Sequence, residues 1–570
     1  MICLSLMPET TEQALAGLAE AARTADLAEL RLDAMREFDL PRLLASPPCP
    51  VIVTYRPQRE GGHYDGPEGE RLETLRQAAE LGARYIDVEH DALANLGNVP
   101  PAKVIVSYHN HERTPPDLAD IYARLAATGA GVVKVAVMAR HILDTVSVLR
   151  ILRAARRPTI ALSMGPRGVL TRILAPKFGA LLTYAAPPYL APGEYTGGGA
   201  RAEPSAASPP VHSGGAKYEA VREAAPGHLS AADMRQLYRV DRIGPKTRVY
   251  GVIADPVGHS LSPRIHNAAF AQTGLDAVYL PLWVEGDPAA FVRAMREFAF
   301  DGYSVTIPHK QAVMAALDEI EPLARRIGAV NTIQRRPDGS LFGTNTDWTA
   351  GAASIEAVVG HDWLRGKRAL IVGAGGVGRA MAFALRERGA SVTLTDVDEA
   401  RAETLAKDVG AATMPIAALQ RGGQESPPRE VPRSPERGGS GDPPRSTSED
   451  SPRSRLPEAG CGGSESTRPG GDLPHEEWDI LLNCTPIGMH PKTDASPVPR
   501  KMLRPGMVVY DAVYNPLQTR LVREAREAGC RTVAGIDHFV RQAVEQFELW
   551  TGRPAPVDTM RQVVVEALTK

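Results

Sequence analysis

The chain has 570 residues, a length typical of about three or four domains. Its 65 Lys and Arg residues nearly balance its 67 Asp and Glu residues, so its charge gives no reason to expect nucleic acid or an anionic membrane as a partner. No apolar run reaches the length of a membrane span, and five scattered cysteines without CxxC spacing favour a reducing compartment over a zinc site. We expect a cytoplasmic protein that acts on small molecules and holds no metal.

The first 240 residues alternate short β-branched runs with helical patterns, as parallel βα units do. Eight such runs predict a (β/α)8 barrel, whose active site would lie at the C-terminal strand ends. The predicted strands are 2–6, 28–32, 51–55, 85–88, 103–107, 132–137, 159–163 and 179–184. Polar residues gather in or just after these strands: Ser5, Glu29, Arg31, Asp33, Arg56, Glu60, Glu89, His109, Lys134 and Arg172.

Lys134 and His109 are the candidate catalytic residues of this half. All residues of 132–137 except Lys134 are apolar. Burial beside arginines would lower the pKa of Lys134 and favour its neutral amine as a nucleophile for a Schiff base. The alternative is a lysine that is ion-paired to a barrel carboxylate. His109 follows the preceding predicted strand, where it is placed for general acid–base catalysis.

Residues 1–240 resemble the type I 3-dehydroquinate dehydratases. The shared motifs are ELRLD at 29–33, TYR at 54–56 with EGG at 60–62, SYH at 107–109, VKVA at 133–136, and SMG at 163–165 through Arg172. The resemblance implies that Lys134 forms an imine with the substrate ketone, that His109 moves protons during the loss of water, and that Glu60 orients the histidine. It also implies substrate contacts at Ser5, Glu29, Arg31, Arg56 and Arg172.

One feature departs from that family, which closes its site with a serine and a glutamine flanking Ala-Pro-Gly. This chain has Ala-Pro-Gly at 191–193 and at 225–227, and neither copy carries that serine and glutamine. The small-residue segment at about 187–222 is predicted to be an inserted mobile loop. The departure motivates the alternative that the barrel is an inactive binding module.

The second half begins near residue 245 and contains a second set of candidate catalytic residues. Ser260 and Ser262 follow a predicted strand at 249–253 and suit a polyol or a carboxylate, although Ser-Pro is also an ordinary helix start. A predicted strand at 302–310 ends in Lys310. With Asp347 this lysine forms a pair able to hold and shuttle a proton at a hydroxyl losing hydride, the alternative being a surface salt bridge.

A glycine-rich turn predicts a dinucleotide site. Gly373, Gly375, Gly376 and Gly378 lie between a predicted strand at 368–372 and a helical pattern, and a second strand at 391–395 leads into Asp396. This arrangement is typical of a turn that cradles a pyrophosphate, with a carboxylate about 20 residues later for the ribose. A glycine turn without a nucleotide is the alternative.

Residues of about 247–570 resemble the shikimate dehydrogenases, with the motifs NCTPIGM at 483–489, YDAVYNP at 510–516 and FELWTG at 547–552. The resemblance implies Lys310 and Asp347 as the catalytic pair, and cofactor contacts at the glycine turn, Ala512 and Gly535. It further implies substrate contacts at Ser260, Ser262, Thr306, Asn331, Asp347, Tyr514 and Gln542. Ser304 replaces an asparagine of the family.

The resemblance also divides this half into domains. We expect a substrate-binding domain at 247–350 plus 540–570 and a Rossmann nucleotide-binding domain at 351–539. The segment at about 420–474 is rich in Pro, Gly, Ser, Arg and Glu and is predicted to be a disordered insertion.

The cofactor is predicted to be NAD or NADP. The family leans to NADP, whose 2′-phosphate meets the arginine of an Asn-Arg-Thr motif. Here the corresponding residues run Asp396, Val397 and Asp398, and a carboxylate accepts hydrogen bonds from a free ribose diol but repels a phosphate. Asp396 therefore favours NAD.

Together the two resemblances predict a lyase and oxidoreductase that dehydrates 3-dehydroquinate to 3-dehydroshikimate and then reduces the product to shikimate. The alternatives are a catabolic quinate/shikimate dehydrogenase and a working dehydrogenase fused to an inactive barrel.

Overall fold

The computed structural model describes residues 1–187, 229–258, 260–421 and 478–569. Apart from their edges, the segments at about 187–222 and 420–474 lie outside the described residues, as do both Ala-Pro-Gly sequences. Within the described ranges, no helix combines the length and apolarity needed to cross a membrane.

Eight parallel strands form the N-terminal sheet, in the order β7-β6-β5-β4-β3-β2-β1-β8. The strands are β1 (Ile2–Leu6), β2 (Leu27–Arg31), β3 (Val51–Thr54), β4 (Tyr85–Glu89), β5 (Val104–Asn110), β6 (Val132–Met138), β7 (Thr159–Met164) and β8 (Thr183–Ala185). The helices between them are α1 (Thr11–Thr24), α2 (Leu40–Leu44), α3 (Glu68–Glu80), α4 (Leu118–Ala127), α5 (Thr145–Ala154) and α6 (Val169–Ile173). Between β7 and β8, Leu181 N–H donates to Thr159 O at 2.8 Å, so the sheet is a nearly closed barrel.

The two-residue period of each strand decides which side chains enter the barrel. In β6, Val133, Val135 and Val137 pack outward into the core beneath the helices, while Val132 and Ala136 belong to the apolar cluster inside the barrel. Lys134 lies on this inner face. The predicted barrel is confirmed, but two strand boundaries differ. β5 runs through Asn110, so His109 lies within the strand and not beyond it, and β8 is confined to Thr183–Ala185 where 179–184 was predicted.

A second, mixed sheet follows, in the order β10-β9-β11-β13-β14-β12. Its strands are β9 (Arg248–Ala254), β10 (Ala277–Trp283), β11 (Gly302–Val305), β12 (Glu319–Ile320), β13 (Thr332–Arg335) and β14 (Leu341–Thr344). Its helices are α7 (Ser262–Gln272), α8 (Pro288–Met295), α9 (Pro322–Ile327) and α10 (Thr346–Val359). The predicted strand at 302–310 was too long, because β11 ends at Val305 and Lys310 lies in the turns that follow.

A third, parallel sheet has the order β17-β16-β15-β18-β19-β20. Its strands are β15 (Arg368–Val372), β16 (Ser391–Thr395), β17 (Ala412–Thr413), β18 (Ile480–Asn483), β19 (Val508–Asp511) and β20 (Arg531–Val533). The remaining helices are α11 (Gly376–Glu387), α12 (Glu399–Val409), α13 (Ile416–Arg421), α14 (Arg520–Glu527), α15 (Gly535–Thr551) and α16 (Val557–Thr569). The strand order reverses between β15 and β18, which is where doubly wound sheets bind nucleotides.

The last two helices return to the second sheet. Trp550 of α15 stacks on Tyr250 of β9 with ring centroids 5.0 Å apart, and Phe547 packs against Phe270 of α7. Both contacts lie in a buried core that also contains Met560 of α16. Helix α15 thus reaches from the nucleotide-binding sheet to the neighbouring one.

Candidate active sites

Lys134 occupies the inside of the barrel between two carboxylates. Its Nζ lies 2.7 Å from Asp87 Oδ2 and 3.2 Å from Glu29 Oε1, and the residue is 4% exposed. Because two carboxylates lie within ion-pair distance of Nζ, the geometry matches the ion-paired alternative. A carbonyl substrate that enters here meets an amine whose proton has nearby acceptors.

Asp87 is a residue that the sequence reasoning did not single out. It receives a hydrogen bond from Ser107 Oγ at 2.6 Å and an ion pair from Arg56 Nη2 at 3.0 Å. Although burial opposes ionisation, Arg56 and Lys134 hold the pKa of Asp87 well below its usual value. The sequence does contain a signal for Asp87: it precedes Glu89 by two residues, so both side chains lie on the same inner face of β4.

Arg56 is held in place from several sides. Its Nη1 donates to Glu89 Oε1 at 2.6 Å and to Ser107 Oγ at 3.0 Å. Glu29 accepts from Ser5 Oγ at 2.8 Å and from Thr54 Oγ1 at 2.9 Å. Such preorganised polar groups at strand ends can orient a polyhydroxylated substrate without reorganising on binding.

Glu60 and His109 form the second functional unit of the barrel. Glu60 Oε2 accepts from the backbone N–H of His109 and lies 3.0 Å from its Nδ1. Burial lowers the pKa of His109 well below its usual value, with a further contribution from Arg56, so the imidazole is neutral. With Glu60 ionised, Nδ1–H donates to the carboxylate and leaves the lone pair of Nε2 free to accept a proton.

The two remaining predicted arginines of the barrel lie at separate positions. Arg31 pairs with both oxygens of Asp33, at 2.9 and 2.7 Å, just beyond β2. Arg172 lies in α6 and is 1% exposed. A buried guanidinium is suited to binding an anion, and a substrate carboxylate is such an anion.

Lys310 and Asp347 form the catalytic candidate of the second half. Lys310 Nζ lies 2.6 Å from Asp347 Oδ2, and His538 of α15 approaches the other oxygen at 3.9 Å. Although burial would raise it, Lys310 and His538 keep the pKa of Asp347 below its usual value. The pair is largely buried, which excludes an ordinary surface salt bridge.

The neighbouring strands bring other predicted substrate residues next to this pair. Backbone hydrogen bonds join Val330 N–H to Lys310 O at 2.8 Å and Val305 N–H to Asn331 O at 2.7 Å, while Thr306 N–H donates to Ile253 O at 3.0 Å. Asn331 Oδ1 in turn accepts from Thr346 N–H at 2.8 Å. Thr306, Asn331 and Lys310 therefore meet at one end of the second sheet.

Ser260, Ser262, Tyr514 and Gln542, the other predicted substrate residues, lie in three further segments. Ser262 begins α7, and its N–H donates to Ser260 Oγ at 3.3 Å, so the predicted helix start is also present. Tyr514 stacks on Phe539 of α15 at 4.4 Å. Gln542 follows His538 by one helical turn and lies on the same face of α15.

Gln546 is a further polar residue that sequence reasoning missed. It is 1% exposed, accepts from Ser304 Oγ at 2.9 Å and donates to Thr332 Oγ1 at 2.9 Å. Thr332 Oγ1 donates to Asn331 Oδ1 at 2.8 Å, so the network fixes Asn331 from behind. The available signal was a second amide in α15, one helical turn after Gln542 and on the same face.

The glycine turn follows β15 and leads into α11. Gly373 has φ +102°, and a Cβ on Gly378 would lie 1.9 Å from Gly373 O, so both positions require glycine. Gly375 and Gly376 face open space. The free N–H groups at the start of α11 can therefore bind a pyrophosphate, and the turn fits a dinucleotide.

A cavity of about 580 Å³ joins this turn to Lys310. Its lining includes Lys310, Gln311, Gly375, Gly376 and Arg401 of α12. One elongated ligand can therefore contact the glycine turn and Lys310 together.

Asp396 lies at the end of β16, directed toward the glycine turn. Its Oδ2 accepts from Ala374 N–H at 2.6 Å and its Oδ1 from Asp398 N–H at 2.9 Å. Val397, at the position of the family's arginine, is 84% exposed and uncharged. The carboxylate thus braces the phosphate-binding turn as well as placing a negative charge near the expected ribose.

Ala512 and Gly535 follow the neighbouring strands β19 and β20, at the carboxyl end of the third sheet. Ala512 directly follows β19, and its N–H donates to Asn483 O at 2.9 Å. Gly535 begins α15, where a Cβ would lie 2.3 Å from Val513 O. Both bring backbone close to the carboxyl ends of β18 and β19, where a dinucleotide's second half would lie.

Three family models match separate parts of the chain. Residues 2–198 match the type I 3-dehydroquinases, residues 252–333 the shikimate dehydrogenase substrate binding domain, and residues 535–565 the shikimate 5′-dehydrogenase C-terminal domain.

Individual proteins match the whole chain or its second half. A protein of Arabidopsis thaliana, named bifunctional 3-dehydroquinate dehydratase/shikimate dehydrogenase, chloroplastic, is 35% identical over 99% of this chain and 84% of its own length. A shikimate dehydrogenase (NADP(+)) of Moorella thermoacetica is 38% identical over 57% of this chain and 96% of its own. A solved shikimate 5-dehydrogenase of Listeria monocytogenes, in complex with shikimate and NAD, is 30% identical over 56% of this chain and 98% of its own, with a TM-score of 0.45.

Proposed function

This chain belongs to the family of bifunctional 3-dehydroquinate dehydratase/shikimate dehydrogenases, and we propose how its residues divide the two reactions. The barrel dehydrates 3-dehydroquinate to 3-dehydroshikimate. The second half reduces 3-dehydroshikimate to shikimate with a nicotinamide dinucleotide.

In the barrel, Lys134 is the nucleophile. Its Nζ passes a proton to a neighbouring carboxylate, adds to the substrate ketone and forms an imine with loss of one water. The neutral Nε2 of His109 removes a proton from the carbon beside the imine, and the hydroxyl on the next carbon leaves as water with that proton. Hydrolysis of the imine restores Lys134, so the net change is the loss of one water.

The observation that supports this assignment is the placement of Lys134 between Asp87 and Glu29, inside the barrel, with the Glu60–His109 pair nearby. The carboxylates can hold the proton released by the amine, and Ser5, Arg31, Arg56 and Arg172 surround the space with groups that suit hydroxyls and a carboxylate. An inactive barrel would have no need of these buried charges, which are costly without a function.

In the second half, Lys310 and Asp347 handle the proton of the substrate's reacting oxygen. When bound, the nicotinamide ring supplies the hydride for reduction. Lys310 Nζ then protonates the alkoxide that forms, and Asp347 holds the lysine in position and stabilises its charge. Ser260, Ser262, Thr306, Asn331, Tyr514 and Gln542 bind the ring substituents.

The cofactor is held by the glycine turn, Asp396, Ala512 and Gly535, and we propose a preference for NAD. Asp396 and Asp398 put negative charge beside the expected ribose, while Val397 offers none of the positive charge that a 2′-phosphate requires. The Moorella relative's name states NADP(+), so this preference distinguishes the present chain from that protein.

The four cysteines of the described ranges, Cys3, Cys49, Cys484 and Cys530, are free thiols. We propose that the enzyme works in a reducing compartment such as the cytoplasm.

Borohydride trapping tests the Schiff base. Reduction of the full-length chain with borohydride in the presence of 3-dehydroquinate should attach the substrate covalently to Lys134, located by peptide mass mapping. Lys103 of the same barrel, whose Nζ donates to Ala79 O, serves as the internal control and should stay unmodified. An unmodified Lys134 in a preparation that still dehydrates the substrate would refute its role.

A further inference from the structure

Arg167 of the barrel binds a segment of the dehydrogenase half that follows β10. Arg167 lies in the turn between β7 and α6, and its guanidinium pairs with both carboxylate oxygens of Glu285, one of them at 2.6 Å. The same guanidinium lies over the ring of Trp283, 4.6 Å from its centroid. His141 of the barrel adds a contact of 3.0 Å from Nε2 to Glu285 O. The barrel therefore holds residues 283–285, called here the clamped segment, through its contacts with Trp283 and Glu285.

This clamped segment reaches the dehydrogenase site by a first route through Trp283. Its Nε1–H donates to Asp255 Oδ1 at 2.9 Å. Asp255 directly follows β9 and begins the loop that carries Ser260 and Ser262. The indole therefore ties the start of the substrate loop to the clamp.

A second route runs through Val284. The imidazole of His309, 3% exposed, donates from Nε2 to Val284 O at 2.6 Å. His309 immediately precedes Lys310, whose Nζ pairs with Asp347. The same segment thus supports both the substrate loop and the catalytic lysine.

We propose that Arg167 of the barrel is a positioning residue for the shikimate site of the dehydrogenase, acting through Trp283 and Val284. The inference rests on the proposed function of Lys310, Ser260 and Ser262. A bidentate guanidinium stacked on an indole fixes its partners in both distance and orientation, unlike a single exposed ion pair. Loss of this clamp loosens two groups that must meet one small substrate at once.

A second set of ion pairs at the same junction provides the matched comparison. Arg150 and Arg153 of α5 bind the two oxygens of Glu297 at 2.6 and 2.7 Å. Glu297 lies in the turn after α8 and belongs neither to the substrate loop nor to the Lys310 segment. These pairs join the two halves of the chain without touching the segment 283–285.

The test is steady-state kinetics of shikimate oxidation by full-length Arg167→Met. We expect the KM for shikimate to rise about fivefold, while the KM for the cofactor stays within about twofold because the glycine turn lies in another sheet. Trp283→Phe keeps a ring beneath Arg167 but removes the Nε1–H, and should raise the shikimate KM similarly. Arg153→Met should leave both constants unchanged.

The possible results separate this inference from the proposed function. A shikimate KM that is unchanged in both Arg167→Met and Trp283→Phe, or a rise of equal size in Arg153→Met, overturns the positioning role. Equal rises in the KM for shikimate and for cofactor overturn it as well, because they indicate general loosening. A wild-type chain that does not oxidise shikimate overturns the proposed function instead.

Discussion

Glu60 and His109 determine how proton transfer in the barrel depends on pH. Burial raises the pKa of the Glu60 carboxyl to about 7, and the neighbouring Glu89 adds to the effect against the opposing charge of Arg56. Burial also lowers the pKa of His109, so the imidazole stays neutral over the same range. The group that titrates near neutrality is therefore the carboxylate that orients the histidine, and not the histidine itself.

The dehydratase rate should fall as the pH drops through about 7, because protonated Glu60 no longer anchors Nδ1–H of His109. Glu60→Gln cannot titrate, so its kcat should lose this acidic limb and, at alkaline pH, lie about tenfold below wild type. The measurement is the pH profile of kcat for dehydration.

Glu68→Gln is the control for that experiment. Glu68 also belongs to the barrel and binds Arg59 and Arg71, but it lies in α3 outside the Lys134 site. Its variant should retain the acidic limb of the wild type. An acidic limb of unchanged position in Glu60→Gln would contradict the assignment.

Single residues were predictable where their type conflicts with their surroundings. Lys134 stands out as the one charge within an apolar strand, and that conflict marked it from the sequence alone. Its partners could not be found in the same way, because Asp87 and Glu29 are 47 and 105 residues distant in the chain. Only the closing of the barrel brings the three together.

Among the elements, strands β1 to β7 were predicted because buried parallel strands consist of continuous apolar runs, whereas β8 was placed too early and the short strands β12 and β17 were not predicted. The observed strand ends differ from the predicted ones where polar residues of the candidate sites follow the apolar run. β11 ends at Val305, five residues before Lys310, whereas β5 extends far enough to include His109. The network of Gln546 with Ser304 and Thr332 was not predictable, since it joins α15 to strands more than 200 residues earlier.

The turn between β16 and α12 carries the cofactor prediction. Asp396→Asn removes one negative charge beside the expected ribose and keeps an acceptor for only one of the two backbone N–H groups that the carboxylate binds. We expect the ratio of kcat/KM for NADP to that for NAD to rise about tenfold in shikimate oxidation.

Glu527→Gln serves as the control for the cofactor experiment. Glu527 lies in α14 and pairs with Arg500 Nη1 at 2.8 Å, so its variant removes a charge from the same domain away from the turn and from the cavity beside it. The cofactor ratio should remain that of the wild type. A wild-type enzyme that already prefers NADP several-fold would show that Asp396 and Val397 do not exclude the 2′-phosphate.

The chain contains two candidate active sites, which are built on three sheets. Each candidate site is assembled from residues of its own half: Lys134 contacts barrel strands, whereas Lys310 pairs with Asp347 of α10, which His538 of α15 approaches. The ion pair between Arg167 and Glu285 joins the two halves of the chain, and no sequence motif in either segment predicted it. Two opposite charges more than 100 residues apart carry no sequence pattern until both halves are folded.

We expect one chain to carry out dehydration and then reduction. The full-length protein is incubated with 3-dehydroquinate and the reduced cofactor, and 3-dehydroshikimate and shikimate are followed by mass spectrometry. Two variants divide the path: Lys134→Arg keeps the positive charge between the carboxylates but cannot form the imine, and Lys310→Met removes the proton donor of the reduction.

The wild-type chain should produce shikimate. Lys134→Arg should leave 3-dehydroquinate unchanged yet still reduce added 3-dehydroshikimate, and Lys310→Met should accumulate 3-dehydroshikimate. A wild-type chain that leaves 3-dehydroquinate untouched would show that the barrel is inactive, and a Lys134→Arg variant that still converts it to shikimate would show that Lys134 does not form the imine.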